Sequence, residues 1–126
     1  MDFENGIIKV GDESFCPGYS FEMFRHSSFY KSQDGIRIIY LEGVKQIDGR
    51  NFIISLFFRD YIIYMISLIC CDEDFSPLTE KERKKLHDNI LSQYHIMNEK
   101  EFFWGRVTSE YDDRSNLSSI NLIYNQ

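Results

Sequence analysis

Phe102–Tyr124, FFWGRVTSEYDDRSNLSSINLIY, is the stretch whose reading decides the fold. It reads as two strands, Phe102 to Tyr111 and Ser118 to Tyr124, joined by a polar turn. In the second strand Ile120, Leu122 and Tyr124 share a face, because side chains alternate across a strand with period two. The only tryptophan, Trp104, stands beside Gly105 at the start of the first strand. A core position closing one end of the sheet suits its ring better than an interface anchor, with Gly105 letting a ring or backbone come close. Such a pair of strands marks the end of an antiparallel sheet and carries no recognisable catalytic chemistry.

Upstream of it lies a helix. Thr79 with Glu82 three residues on has the pattern of a capping box, in which a hydroxyl and a carboxylate satisfy two orphan backbone donors. Pro77 separates this helix from the strand before it, and the helix is expected to run to Tyr94 or His95. Leu86, Ile90, Leu91 and Tyr94 form its core-facing stripe, while Lys81, Arg83, Lys84, Lys85 and Asp88 face mainly outward. Earlier still, Asp48-Gly49 signals a hairpin, since a two-residue primed turn needs positive φ. Phe52, Ile54, Leu56 and Phe58 share one face of the following strand, and Ile62, Tyr64, Ile66 and Leu68 one face of the next, across a tight turn at Arg59-Asp60. Ile36–Glu42 is apolar on both sides, as expected of a strand well inside the structure. Near the start, Ile7–Val10 predicts a short strand, Phe15-Cys16-Pro17-Gly18 a turn, and Ser20 the cap of a short helix over Phe21 to about His26.

These elements predict one α+β domain over residues 1–126. Its antiparallel sheet has about five to six strands, with one long helix packed on one face and a short N-terminal helix. The other sheet face is then partly exposed.

Composition narrows the function. The net charge of −6 argues against nucleic acid, which needs a basic face to release phosphate counterions. The aromatic content is 16%, with 11 Phe and 8 Tyr, so the core is expected to be built of rings and β-branched chains. MDFENGIIKV does not have the form of a secretory signal. The apolar stretch Phe52–Cys71 is broken by Arg59-Asp60 and is read as two strands and a turn, not a membrane span. Three cysteines without CxxC spacing suit a reducing cytosol, so a cytoplasmic location is expected.

Catalytic candidates are scattered. His26 follows the short helix in a serine-rich turn, and His87 and His95 lie eight apart on the long helix, outside metal-binding spacing; surface or capping roles are expected for all three. Cys70 and Cys71 precede three acids, which raise a thiol pKa, and Cys16 has no basic neighbour. No glycine-rich phosphate loop, nucleophile elbow or calcium-loop spacing occurs, so neither cofactor nor metal is expected, and binding is expected in place of catalysis. Two acidic clusters at strand ends remain, read either as solvated loop charge, the plainer account, or as contacts for a basic partner. Asp72, Glu73 and Asp74 form one; Glu110, Asp112 and Asp113, with Tyr111, form a mixed acidic and aromatic patch suited to a protein partner.

The final hairpin also carries a pattern: Trp104-Gly105, Ser109, Tyr111-Asp112, Arg114, Ser118-Ser119-Ile120 and Tyr124. It resembles the C-terminal hairpin of small bacterial α+β proteins, some associated with polymorphic-toxin immunity. The middle of the chain is similar to theirs as well, with a strand ending in Phe, a tight turn, a strand and a helix. At that turn Phe58-Arg59-Asp60 stands here without the glycine usual in the group. The resemblance spans about the last two-thirds of the chain and its motif is structural. It implies an immunity protein that binds and neutralises a cognate toxin, and an acidic inhibitor suits a basic nuclease-type toxin. A small-ligand module with a pocket lined by Phe52, Phe57, Tyr64 and Trp104 is the alternative. An enzyme of unfamiliar type ranks below both, and a homo-oligomer through a terminal strand edge is compatible with any of them.

Overall fold

The computed structural model describes residues 1–76 and 78–126. Its elements are β1 (Ile8–Val10), β2 (Glu13–Phe15), α1 (Phe21–Arg25), β3 (Ile38–Tyr40), β4 (Lys45–Ile47), β5 (Arg50–Arg59), β6 (Ile62–Cys70), α2 (Glu80–Ser92), β7 (Glu99–Phe102), β8 (Gly105–Asp112) and β9 (Leu117–Tyr124). Pro77, expected to separate strand from helix, lies outside the described residues.

The architecture is α+β with antiparallel pairing. β1 and β2 form a two-stranded hairpin, and the remaining strands form a seven-stranded sheet ordered β3-β5-β6-β9-β8-β7, with β4 paired to the start of β5. This exceeds the expected five or six strands. The largest difference lies in Phe102–Tyr111, which is not one strand. The chain reverses at Phe103–Trp104, splitting β7 from β8. Gly105, at φ +153°, makes the reversal possible, since a Cβ there would overlap the Ile123 carbonyl oxygen.

The helical part also differs from expectation. In place of one long helix covering a sheet face, α2 has 13 residues, roughly 20 Å at 1.5 Å per residue. It packs on β8, β9 and the end of β6. The rest of that face is covered by the N-terminal region, whose Phe3, Ile8, Val10, Phe15, Tyr19, Phe21 and Phe24 are all buried. The capping box does not form. Thr79 sits at φ −114°, ψ 11°, away from the extended backbone usual at a helix cap, and makes no side-chain cap bond. Its hydroxyl accepts the Ser76 N–H at 3.0 Å, while Glu82 pairs with Lys85 at 3.2 Å. Ser20 does cap α1, accepting the Met23 N–H at 3.1 Å.

Hairpin chemistry follows the sequence closely. Asp48 and Gly49 take φ of 51° and 81° between β4 and β5. Between β5 and β6 the turn falls one residue later than expected, at Asp60 and Tyr61 with φ of 53° and 65°, while Arg59 ends β5 paired with Ile62. Phe52, Ile54, Leu56 and Phe58 are buried together, as their alternation requires. In β6 the alternation changes phase. Phe57 pairs with Met65 but Phe58 with Ile63, so Tyr64 bulges and the buried set is Ile63, Ile66, Leu68 and Cys70. The expected face Ile62, Tyr64, Ile66, Leu68 is therefore half displaced, with Ile62 exposed. β3 is an edge strand, not an interior one; Ile39 is buried and Ile38 exposed.

Trp104 is a core residue, 4% exposed. Its ring stacks on Phe102 at 5.6 Å, and its Nε1–H donates to the Phe3 carbonyl at 2.8 Å. Tyr124 donates its hydroxyl to the Gly6 carbonyl at 2.8 Å. Together they fasten the first turn of the chain to the last hairpin. Among the described residues no helix is long and apolar enough to cross a membrane.

Candidate functional site

Helices and the N-terminal hairpin cover one face of the large sheet and leave the other open. Period-two alternation puts Ile38 and Tyr40 of β3, Ile53 and Phe57 of β5, Met65 of β6, and Leu117 and Ile123 of β9 on that open face. Tyr40 is 70% exposed, and Ile38, Ile53 and Leu117 are exposed as well.

The β8–β9 turn closes one end of this face. Register pairs Glu110 with Ser119, Tyr111 with Ser118 and Asp112 with Leu117. Glu110 and Asp112 thus share the open side, while Tyr111 falls with Ser118 on the helix side. Each acid has a defined environment. Glu110 Oε2 accepts from Thr108 Oγ1 at 3.0 Å and from Asn121 Nδ2 at 2.5 Å, which holds its carboxylate against the sheet. Asp112 Oδ1 accepts the Arg114 N–H at 2.9 Å and shapes the turn. Asp113 is exposed at the tip. Tyr111 carries Lys81 Nζ 5.7 Å from its ring centre, and its hydroxyl donates to Asn116 Oδ1 at 2.5 Å. Glu110, Tyr111, Asp112 and Asp113 line, with Phe57, Met65 and Leu117, an open groove of about 600 Å³. The floor, where Phe57, Met65 and Leu117 stand among Ser67, Ser119 and Asn121, and the acidic rim come from four strands, brought together only by the sheet order.

The first acidic cluster divides. β6 and β8 run the same way because each is antiparallel to β9, so Asp72–Asp74 lie at the same end of the sheet as Glu110–Asp113. They do not line the groove. Asp72 is a structural acceptor. It takes the Asn51 N–H at 2.8 Å and meets Arg50 at 3.4 Å. The Asn51 amide, then the Cys70 thiol and the Arg50 guanidinium, hold its carboxyl below the usual carboxylate range. Glu73 and Asp74 are exposed beyond it.

Between the two clusters sits the start of α2, held by a device that sequence reasoning missed. β9 pairs with β6 only as far as Ile120 and Leu68. Beyond that point the Cys70 backbone finds its partners on the helix. His87 Nε2 accepts the Cys70 N–H at 3.0 Å, and the Arg83 guanidinium, paired with Glu80 at 2.8 Å, donates to the Cys70 carbonyl. Ser118 Oγ donates to the Glu80 carbonyl at 3.2 Å from the other side. His87 was expected at the surface or as a cap, yet it is fully buried. Burial first, then the charges of Arg83 and Lys84, partly offset by Asp88, lowers its pKa from an ordinary 6.5 to about 4. The one available signal was spacing: Arg83, His87, Ile90 and Leu91 follow i, i+4, i+7, i+8 on one helix face.

The other reactive side chains do not converge. His26 is exposed beside Glu22 at 3.3 Å, and His95 is exposed. The Cys16 thiol is pushed up by burial and by Glu13, and the Cys70 thiol by burial. Among the described residues no three His, Cys, Asp or Glu side chains are grouped to hold a metal ion. The expected ligand pocket of Phe52, Phe57, Tyr64 and Trp104 is not assembled. Phe52 and Trp104 are core residues, while Phe57 and Tyr64 touch as rings at 6.0 Å and line different surface concavities.

Comparison with protein families, curated proteins and solved structures finds no match to this chain.

Proposed function

We propose that the chain is a recognition domain that binds a basic protein partner across its open sheet face, and that its biological form is an immunity protein neutralising a cognate toxin. One observation carries this reading. A sheet surface that mixes Phe57, Met65 and Leu117 with the small polar Ser67, Ser119 and Asn121 is left uncovered and is rimmed at one end by Glu110, Asp112 and Asp113, with Arg114 as the only cation in the groove lining. A mixed apolar and polar centre with a charged rim suits a non-obligate protein interface, and like charge on the rim selects a partner of opposite sign. The net charge of −6 adds long-range steering toward such a partner. The likeness of the last hairpin to those of immunity-associated proteins points the same way. Glu73 and Asp74, free of the structural duty that occupies Asp72, extend the acidic end beyond the groove.

The reading is tested by co-expression with the product of the neighbouring upstream gene, scored by growth rescue and co-purification. Asp113→Lys with Glu73→Lys is expected to slow association by about tenfold at low salt and to leave the fold intact. Absence of both rescue and complex formation, or an affinity indifferent to these charges and to salt, overturns it.

A further inference from the structure

A second concavity, of about 500 Å³, opens at the β5–β6 turn, at the opposite end of the sheet from the β8–β9 turn. It shares no lining residue with the acidic groove. Its walls include Phe21, Tyr61 and Tyr64, and its charged residues are Arg37, Arg59 and Asp60.

Three features set it apart. The first is its arginines. Arg25, Arg50, Arg83 and Arg106 each pair with a carboxylate, whereas among the described residues Arg37, Arg59 and Arg114 pair with none, and two of those three line this concavity. Arg59 instead sits with its guanidinium carbon 4.4 Å from the centre of the Tyr64 ring, and its Nη1 reaches only Gln126 Oε1 at 3.5 Å. The second is the backbone. Tyr61 holds φ +65°, an outlier for an aromatic residue, and keeps its side chain 68% exposed at the rim. That conformation is fixed from outside the turn, since the Phe21 N–H donates to the Tyr61 carbonyl at 2.8 Å and Ser20 bridges to Ile62. The wall is therefore preorganised. The third is the charge count, for two arginines and one aspartate line the concavity, leaving a net charge suited to a single anion.

We infer that this concavity is a binding site for a small planar aromatic carboxylate, whose ring packs against Tyr61 and Tyr64 while its carboxylate takes the forks of Arg37 and Arg59. The size lies within the range of small-molecule sites, and a forked guanidinium matches a carboxylate in two parallel hydrogen bonds. Asp60 disfavours dianions such as phosphate monoesters. The site is independent of the protein-partner reading.

Backbone amide NMR titration tests it, with 2-naphthoate and the neutral 2-naphthamide as probes. Shifts on adding 2-naphthoate are expected to concentrate at residues 35–37 and 58–64, with 2-naphthamide at least about tenfold weaker, the loss of one charge-assisted hydrogen bond. Arg59→Gln is expected to weaken 2-naphthoate by a similar factor. Arg37→Gln, at an exposed side chain without an ion-pair partner, does the same with the fold undisturbed. Equal affinity for the two probes, shifts gathered at the β8–β9 turn or scattered over the surface, or an Arg37→Gln variant that binds 2-naphthoate as the parent does, overturns the inference.

Discussion

Acidification makes the sharpest test of how α2 is held to the sheet. His87 is buried, accepts the Cys70 N–H through Nε2, and has a pKa lowered to about 4. Unfolded, it titrates near 6.5. Between those values the unfolded chain binds a proton that the folded chain does not, so stability is fully present above pH 6.5 and is lost as pH falls toward 4. The slope approaches 1.4 kcal/mol per pH unit, and integration over the whole window gives about 3 kcal/mol, of which about 2 kcal/mol falls between pH 7 and pH 5. His87→Gln places an amide oxygen near the Nε2 position, able to accept the same N–H and unable to titrate. Urea unfolding of parent and variant at pH 7, 6 and 5 measures the difference. The parent is expected to lose about 2 kcal/mol more than His87→Gln across this range. The carboxylates with lowered pKa, Glu22, Asp34 and Asp72, lose their contribution at lower pH and are common to both proteins. His87→Leu, which also leaves the Cys70 N–H unpaired, is expected to cost about 1–3 kcal/mol at pH 7. Identical pH slopes in parent and His87→Gln would refute the buried, neutral acceptor and with it the account of how α2 replaces a strand partner.

Other outcomes follow from particular contacts. Gly105→Ala drives a methyl group into the Ile123 carbonyl; a loss beyond the usual 1–3 kcal/mol of overpacking, roughly, or failure to fold, is expected by urea denaturation. Glu82→Gln is expected to change stability by less than about 0.5 kcal/mol, because Glu82 forms an exposed pair with Lys85 and no capping box. A loss near 1 kcal/mol, measured the same way, would restore the cap.

Local signals were readable wherever neighbouring residues decide the backbone. Asp48-Gly49 made its hairpin, Ser20 capped its helix, and the alternation through Phe52–Phe58 marked a buried face, since turn sterics, capping and period two act within a few residues. The α+β character and an exposed second sheet face were legible for the same reason. Thr79 and Glu82 had equally good local credentials, and lost to Ser76, which offered the hydroxyl a nearer partner.

What the chain alone determined was thus a set of elements, their polarity and an acidic surface; which residues meet was decided by tertiary structure. The Tyr64 bulge, a one-residue change of phase, moved Ile63 inward and Ile62 outward, and no pattern within β6 announces it. Sheet order carried Phe57 and Met65 to the same groove as Glu110 and Asp113, residues about fifty apart in sequence. The early end of β6–β9 pairing left one backbone position to be satisfied by a helix, and so buried a histidine that its surroundings in sequence place at the surface. The physical reason is common to all three. Backbone hydrogen bonds must be satisfied wherever the chain is buried, and their partners are chosen by the packing of distant segments.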